Sequence, residues 1–502
     1  MTRLVIGIDI GTSSSKGVLV DEHGVIRARA GRPHGVSMPR PGWVEHDAEA
    51  VWWADFVDLA GELSAAADTA GPDATLSGLA VSGIGPTLLP ADESGAPLRP
   101  AILYGVDTRA TEQIDAITAE IGEQALLERG GSVLTSQAVG PKIRWLAEHE
   151  PEAYRRTDKL LMCSSYLVHR LTGRYVLDHH SASQTDPLYD LGARAWAEDL
   201  AGRIAPGITL PELVWPTEVV GEVTPRAAEE TGLPAGLPVT AGTIDAWAEA
   251  TSVGVRTPGD TMVMYGTTMF LVQVLTDPRP HRGLWGTSGA FPGTYTLAAG
   301  MATSGAVTDW LRGLVGGDFT ALVDEAAAVP AGSRGLLLLP YFAGERTPLF
   351  DPDARGIVAG LTLEHTRAEL YRAALEGIAF GVRHNLEAMT DAGGSVARLR
   401  AVGGGTRGGL WTRIVSDVTG APQEIARETV GACYGDAMLA AAATGISDDT
   451  DTWNPVVATV RPDPRRHDLY DEYYQAYRQL YESTRGIAHF LARQQRAAAQ
   501  QT

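Results

Sequence analysis

The chain has 502 residues, 44% of them hydrophobic and 20% charged, with a formal net charge of −20. That length exceeds one ordinary hydrophobic core and predicts two domains of similar size with a cleft between them, and the composition is globular, neither disordered nor fibrous. The negative balance argues against nucleic acid or an anionic membrane as main partner, because either needs a basic patch to release counterions.

Residues 5–20 read as two apolar strand-like runs joined by a turn of glycine, hydroxyls and one lysine, with Asp9 at its mouth and Lys16 in its second arm. Such a turn offers backbone N–H groups to phosphate, and a carboxylate beside phosphate calls for a divalent cation between them. Asp9 also interrupts the first apolar run, so no signal-peptide layout opens the chain, and the longest apolar stretches are far short of a membrane span. Cys163 and Cys433 form neither a CxxC pair nor a disulfide framework and imply no structural zinc. A cytoplasmic protein is expected.

Residues 48–63, 111–128 and 142–149 carry helical periodicity and alternate with apolar runs such as 76–82, the pattern of an α/β fold. Trp43, Glu45 and Asp47, near Trp52 and Trp53, read first as core and second as a cleft wall. Asp107 and Arg109 follow an apolar run and suit either sugar hydroxyls or an ion pair. Asp245 stands between a strand-like run at 237–240 and a small-residue helix, as a general base for phosphoryl transfer or as an N-cap.

Residues 260–272 repeat the opening pattern of strand, Gly-Thr-hydroxyl turn and strand, with Gly266 and Thr267 in the turn. Two such turns near the starts of two halves predict paired domains gripping one nucleotide, with the chain crossing near residues 257–259. Further on, 366–389 reads as a long helix, 396–402 as a strand, and 409–419 as a helix opened by the glycine cluster at 403–409. Gly435 lies at the start of an alanine-rich helix, where small residues would leave room for a flat ring. Tyr473, Tyr477, Leu480 and Tyr481 share one helical face for packing, and 494–502 reads as a frayed end.

Taken in order, the segments 9–16, 39–47, 107–109, 142–146, 242–248, 339–348, 403–417 and 435–437 resemble the FGGY family of carbohydrate kinases. The resemblance covers nearly the whole chain and implies the two-domain actin-like, ribonuclease-H-like ATPase fold, α/β with an interdomain cleft. It implies a sugar-binding, catalytic domain at 1–254 and a nucleotide-binding domain with a helical tail at 255–502. By the same resemblance Asp245 is the base and Asp9 helps to place magnesium, with Asp245 beside it on the metal. Thr12, Ser13, Lys16, Gly266 and Thr267 face the ATP phosphates, while Gly404, Gly405 and Gly435 line the adenosine site. Asp107 and Asp245 hold substrate hydroxyls, supported by Arg109.

ATP and Mg2+ are the implied cofactors and a small sugar or polyol the partner, with a homodimer left open. Gly83 and Ile84 stand where xylulokinase-like members carry a Met-His pair, and Gly105 where many members carry Trp, which predicts a roomier or differently shaped pocket. Residues 406–409 also depart from the family pattern. A ketopentose of xylulose or ribulose type is the leading acceptor; glycerol, a tetritol or a deoxy-ketohexose keeps the reaction, and a non-catalytic actin-like nucleotide-binding protein is the other class.

Overall fold

The computed structural model describes residues 2–71, 73–447 and 449–499. Two mixed sheets dominate it. In spatial order the first holds Val219–Glu222, Pro238–Thr240, Ala74–Gly83, Thr2–Ile10, Ser14–Asp21 and Ile26–Pro33, with Thr243–Ile244 also paired to Ala74–Gly83. The second holds Trp285–Ser288, Tyr295–Met301, Met269–Leu275, Asp260–Tyr265, Arg398–Val402, Gln423–Ala426 and Val456–Val460.

The internal echo in the sequence is a repeat of topology. Thr2–Ile10 pairs antiparallel with Ser14–Asp21 and parallel with Ala74–Gly83. Asp260–Tyr265 likewise pairs antiparallel with Met269–Leu275 and parallel with Arg398–Val402. Each first strand is therefore central and buried on both faces, which is why both read as near-continuous apolar runs.

The long helix Arg367–Asp391 starts at a capping box in which the Thr366 hydroxyl accepts from Ala368 N–H and the Glu369 carboxylate accepts from Thr366 N–H. Two predicted helices are interrupted. Residues 48–63 open as a wide turn, Ala48–Trp53, capped by the Asp47 carboxylate, and continue as Ala54–Thr69. Residues 111–128 break at Gly122, where φ is 90°, into Thr111–Ile121 and Glu123–Gly130.

The tail is a single helix, Pro464–Ala499, whose Tyr470, Tyr474 and Tyr477 are buried. Helical structure thus runs through most of the segment expected to fray, and residues 500–502 lie outside the described residues. No helix among the described residues is long and apolar enough to cross a membrane.

One element of the second half packs on the first sheet. The alanine-rich helix Ala432–Ala443 lies against Thr2–Ile10, so close that a methyl group on Gly7 would overlap the carbonyl of Cys433. It also crosses the helix Asp245–Ser252, and a methyl group on Gly435 would overlap the carbonyl of Ala248. Gly435 is accordingly a helix-crossing residue; the space expected for a flat ring is filled by the neighbouring backbone.

Candidate active site

The two hairpin turns meet at one cavity of about 290 Å³. Thr12 reaches it from the first turn, Gly266, Thr267 and Thr268 from the second, and Asp245 from the start of its helix. Ile84 and Tyr104 line one side; Trp247, Phe270 and Trp285 supply aromatic walls. Gln137, Gln184 and Arg346 complete its polar lining.

Both turns are braced from behind. In the first, the Gly11 N–H donates to the Ser14 carbonyl, and His34 spans the Gly11 carbonyl at 3.0 Å and the Asp55 carboxylate at 2.8 Å, which also accepts from the Ser15 hydroxyl. In the second, the carbonyls of Gly266 and Thr267 accept from Gly305 and Ala306 at the start of the helix Gly305–Val315. Ser13 is exposed at the tip of the first turn, and Lys16 extends from the register position opposite Asp9.

Asp245 is the first residue of its helix, with Ile244 at the N-cap position, so the capping alternative does not describe it; its Oδ1 accepts from Ala246 N–H at 2.7 Å. Three further carboxylates surround it electrostatically. Burial pushes Asp9 up to about 6, against hydrogen bonding by Ser82 and attraction from Lys16. Burial and the charge of Asp9 push Glu249 up to about 7, again opposed by Lys16. Asp245 and Asp436 are driven well above the usual carboxylate range, by burial first and by Asp9 among their neighbours.

Ser82 links two of these groups, its Oγ lying 2.7 Å from Asp436 Oδ2 and 3.2 Å from Asp9 Oδ1. One hydroxyl hydrogen cannot serve both oxygens. The shorter of the two contacts is that from Ser82 to Asp436. The other Asp436 oxygen, Oδ1, is buried without a hydrogen-bond partner among the described residues.

The described residues contain no group of three or more acidic, histidine or cysteine side chains placed to hold a metal ion by themselves. The donor chemistry nevertheless fits magnesium, which takes one or two protein carboxylates and completes its shell with water and phosphate oxygens. Like-charged carboxylates that raise one another's pKa are the groups a divalent cation relieves.

Asp107 and Arg109 do not reach the cavity. Both side chains are completely buried, Arg109 Nη2 lying 2.7 Å from Asp107 Oδ2 and Nη1 2.8 Å from Glu45 Oε1. The guanidinium packs against the rings of both Trp43 and Trp145, at 4.1 and 5.0 Å, and Asp107 Oδ2 also accepts from Val44 N–H. Their charges satisfy each other, as buried charges must, and both residues leave the substrate set.

Gly83 is packed too, since a methyl group there would lie 2.6 Å from Cys163 Sγ, whereas its neighbour Ile84 does line the cavity. The room expected at Gly105 is occupied: Gln137 turns its Oε1 onto the Gly105 N–H at 2.6 Å. Just after Arg398–Val402, Gly404 is exposed with open space beside it, while Gly405 closes on Trp411 and Tyr265.

Sequence reasoning missed Glu249, Asp436, Ser82, Gln137, Gln184 and Arg346. Glu249 lies one helical turn after Asp245, and Arg346 and Asp436 fall within the segments 339–348 and 435–437 that carry the family resemblance, though no site role was read for them.

Comparison with known families decides the lineage. The model of the N-terminal domain of FGGY carbohydrate kinases matches residues 4–252, and that of the C-terminal domain matches residues 261–444. The chain belongs to the FGGY family of carbohydrate kinases. It is a phosphotransferase of the ATP-dependent sugar-kinase type, and its two sheets are those of the actin-like ATPase fold.

The crystal structure of xylulose kinase from Rhodospirillum rubrum superposes on the kinase with a TM-score of 0.89 at 33% identity, covering 97% of this chain and 100% of that one. A xylulose kinase of Lactococcus lactis subsp. lactis is 32% identical over 503 residues, covering 97% of this chain and 98% of its own. A glycerol kinase of Nocardia farcinica is 31% identical over 492 residues, covering 91% of this chain and 95% of its own.

Proposed function

We propose that the kinase transfers the γ-phosphoryl group of ATP to a hydroxyl of a ketopentose of xylulose or ribulose type, with Asp245 as general base. The observation that carries this reading is a carboxylate of strongly raised proton affinity at the point where both phosphate-type turns enter one cavity. A base must hold a proton well enough to take it from an alcohol as the new bond forms, and burial beside Asp9 gives Asp245 that property.

Asp245 accepts the hydroxyl proton as the sugar oxygen attacks the γ-phosphorus and the bond to ADP breaks. Thr12, Ser13 and Lys16 face the phosphates from the first turn, Gly266 and Thr267 from the second, and Gly404 and Gly405 border the adenosine side. Asp9, with Asp245 beside it, would hold magnesium, which neutralises charge on the phosphate oxygens. The aromatic walls exclude water, which limits transfer to water in place of the sugar. Residues 1–254 then carry the base and most of the acceptor side and residues 255–502 the nucleotide side.

Resemblance along the full chain to xylulose kinases supports the ketopentose. A second reading, a glycerol-type polyol acceptor, is supported by the Nocardia relative and by Gly83 and Ile84 replacing a Met-His pair. Coupled ADP detection over a panel of ketopentoses, tetritols and glycerol tests both: a ketopentose is expected to give the highest kcat/KM. A clear preference for glycerol transfers the assignment to the second reading, and no stimulation above the water background by any acceptor removes both.

A further inference from the structure

Two side-chain amides in the cavity wall are each locked by a partner that leaves one polar group free to face a ligand. His180, fully buried, places Nδ1 2.8 Å from the carbonyl oxygen of Ser288. A carbonyl can only accept, so Nδ1 carries the hydrogen and Nε2 keeps its lone pair. Burial holds this imidazole down at about 3, so the neutral tautomer persists at any ordinary pH.

Facing that lone pair at 2.9 Å is the amide nitrogen of Gln184, which must donate. The Gln184 carbonyl, Oε1, is thereby turned away from His180 and has no protein partner among the described residues. His180 also stacks on Trp247, two residues after Asp245, with ring centroids 3.7 Å apart, so one buried imidazole orients both an aromatic wall and an amide of the cavity.

Gln137 is locked in the opposite sense. Its Oε1 accepts from Gly105 N–H, which leaves its NH2 as the free group. Lys142 secures the turn, its Nζ donating to the Ser136 carbonyl at 2.5 Å, while the Ser136 hydroxyl donates to the Gly105 carbonyl at 2.8 Å. Both amides line the main cavity and share a small recess beside Trp285, so they stand on the same wall. That wall therefore presents one fixed acceptor and one fixed donor.

We propose that Gln184 and Gln137 are the specificity-determining residues for the sugar: Gln184 Oε1 accepts from a sugar hydroxyl while the Gln137 NH2 donates to a second sugar oxygen. This rests on the ketopentose reading and deepens it by naming the groups that read the hydroxyl pattern. An acceptor lacking the hydroxyl that Gln184 reads leaves the Gln184 carbonyl unpaired against the bound sugar, which is the arrangement that rejects deoxy analogues strongly.

The test compares kcat/KM for a ketopentose and its mono-deoxy analogues in the wild type, Gln184→Met and Gln137→Met, each checked for folding by its melting temperature. In the wild type one analogue is expected to be rejected, and in Gln184→Met the parent-to-analogue ratio is expected to collapse by about tenfold to a hundredfold. Gln137→Met is expected to relax discrimination at a different position of the sugar. A purely structural defect would lower activity on parent and analogue alike and preserve the ratio. A ratio retained in both variants overturns the inference while leaving the ketopentose reading standing; a wild type that phosphorylates no ketopentose overturns that reading and this one with it.

Discussion

Asp245 differs from an ordinary helix-start aspartate in its company: Asp9, Glu249 and Asp436 share its electrostatic environment, with Lys16 as the ammonium that offsets Asp9 and Glu249. Replacing it by Asn keeps shape and removes proton affinity. Asp245→Asn is expected to lower kcat by about a hundredfold or more while an ATP analogue still binds, measured by single-turnover phosphorylation and by titration; retained turnover rejects the assigned base. Glu249 supports a prediction of opposite kind. Its carboxyl titrates near 4.5 when free and is pushed up to about 7 in the fold. Between those values the native state holds more protons than the unfolded chain, so this group's stabilisation is complete below pH 4.5 and is lost as pH rises through about 7. Glu249→Gln, which carries no charge to bury, is expected to melt above the wild type at pH 8, by on the order of 1–3 kcal/mol, and to match it near pH 4. If attraction between Lys16 and the ionised Glu249 carboxylate instead outweighs the cost of burying that charge, the order at pH 8 reverses and the burial argument fails.

At the scale of elements, the two hairpins were legible because their signals are local. Apolar runs flanking a glycine-hydroxyl turn state both the strands and the turn within about a dozen residues. Misreadings arose where a residue's partner lies far away in sequence. Asp107 and Arg109 form the ion pair that was one of their two readings, but its burial is set by Glu45, Trp43 and Trp145, which lie far off in sequence. Gly435 looks like space for a ring until the helix Asp245–Ser252 fills it. Gln137 and Gln184 carry no pattern at all, since their meaning depends on Gly105 and His180. The glycines give this contrast a test. Gly435→Ala forces a methyl group into the Ala248 carbonyl and is expected to cost about 1–3 kcal/mol in denaturant unfolding, whereas Gly404→Ala meets open space and leaves the midpoint unchanged. Equal midpoints for the two variants would mean that the helix crossing yields more easily than its geometry indicates.

At the scale of the whole molecule, the repeat of a hairpin and its parallel neighbour gives two similar sheets, and the cavity draws its polar groups from both halves of the chain. Thr12 belongs to the first sheet's turn and Thr267 to the second's, while the helix Ala432–Ala443 returns from the second half to pack on the first sheet beside Asp9. A nucleotide held by both turns would therefore bridge the halves, and a sugar seated between Asp245 and the aromatic walls would contact the same cavity. Each ligand alone stabilises the native state by mass action, about 2.7 kcal/mol at a hundred times its Kd. If each also favours closure, the second to bind finds that cost already met, and the two affinities are coupled reciprocally. Calorimetric melting with a non-hydrolysable ATP analogue, a ketopentose, and both together should thus show a combined shift larger than the sum of the separate ones. Shifts that simply add would describe two independent sites, and the clamp formed by the two hairpin turns would have to be abandoned even if the kinase activity itself were intact.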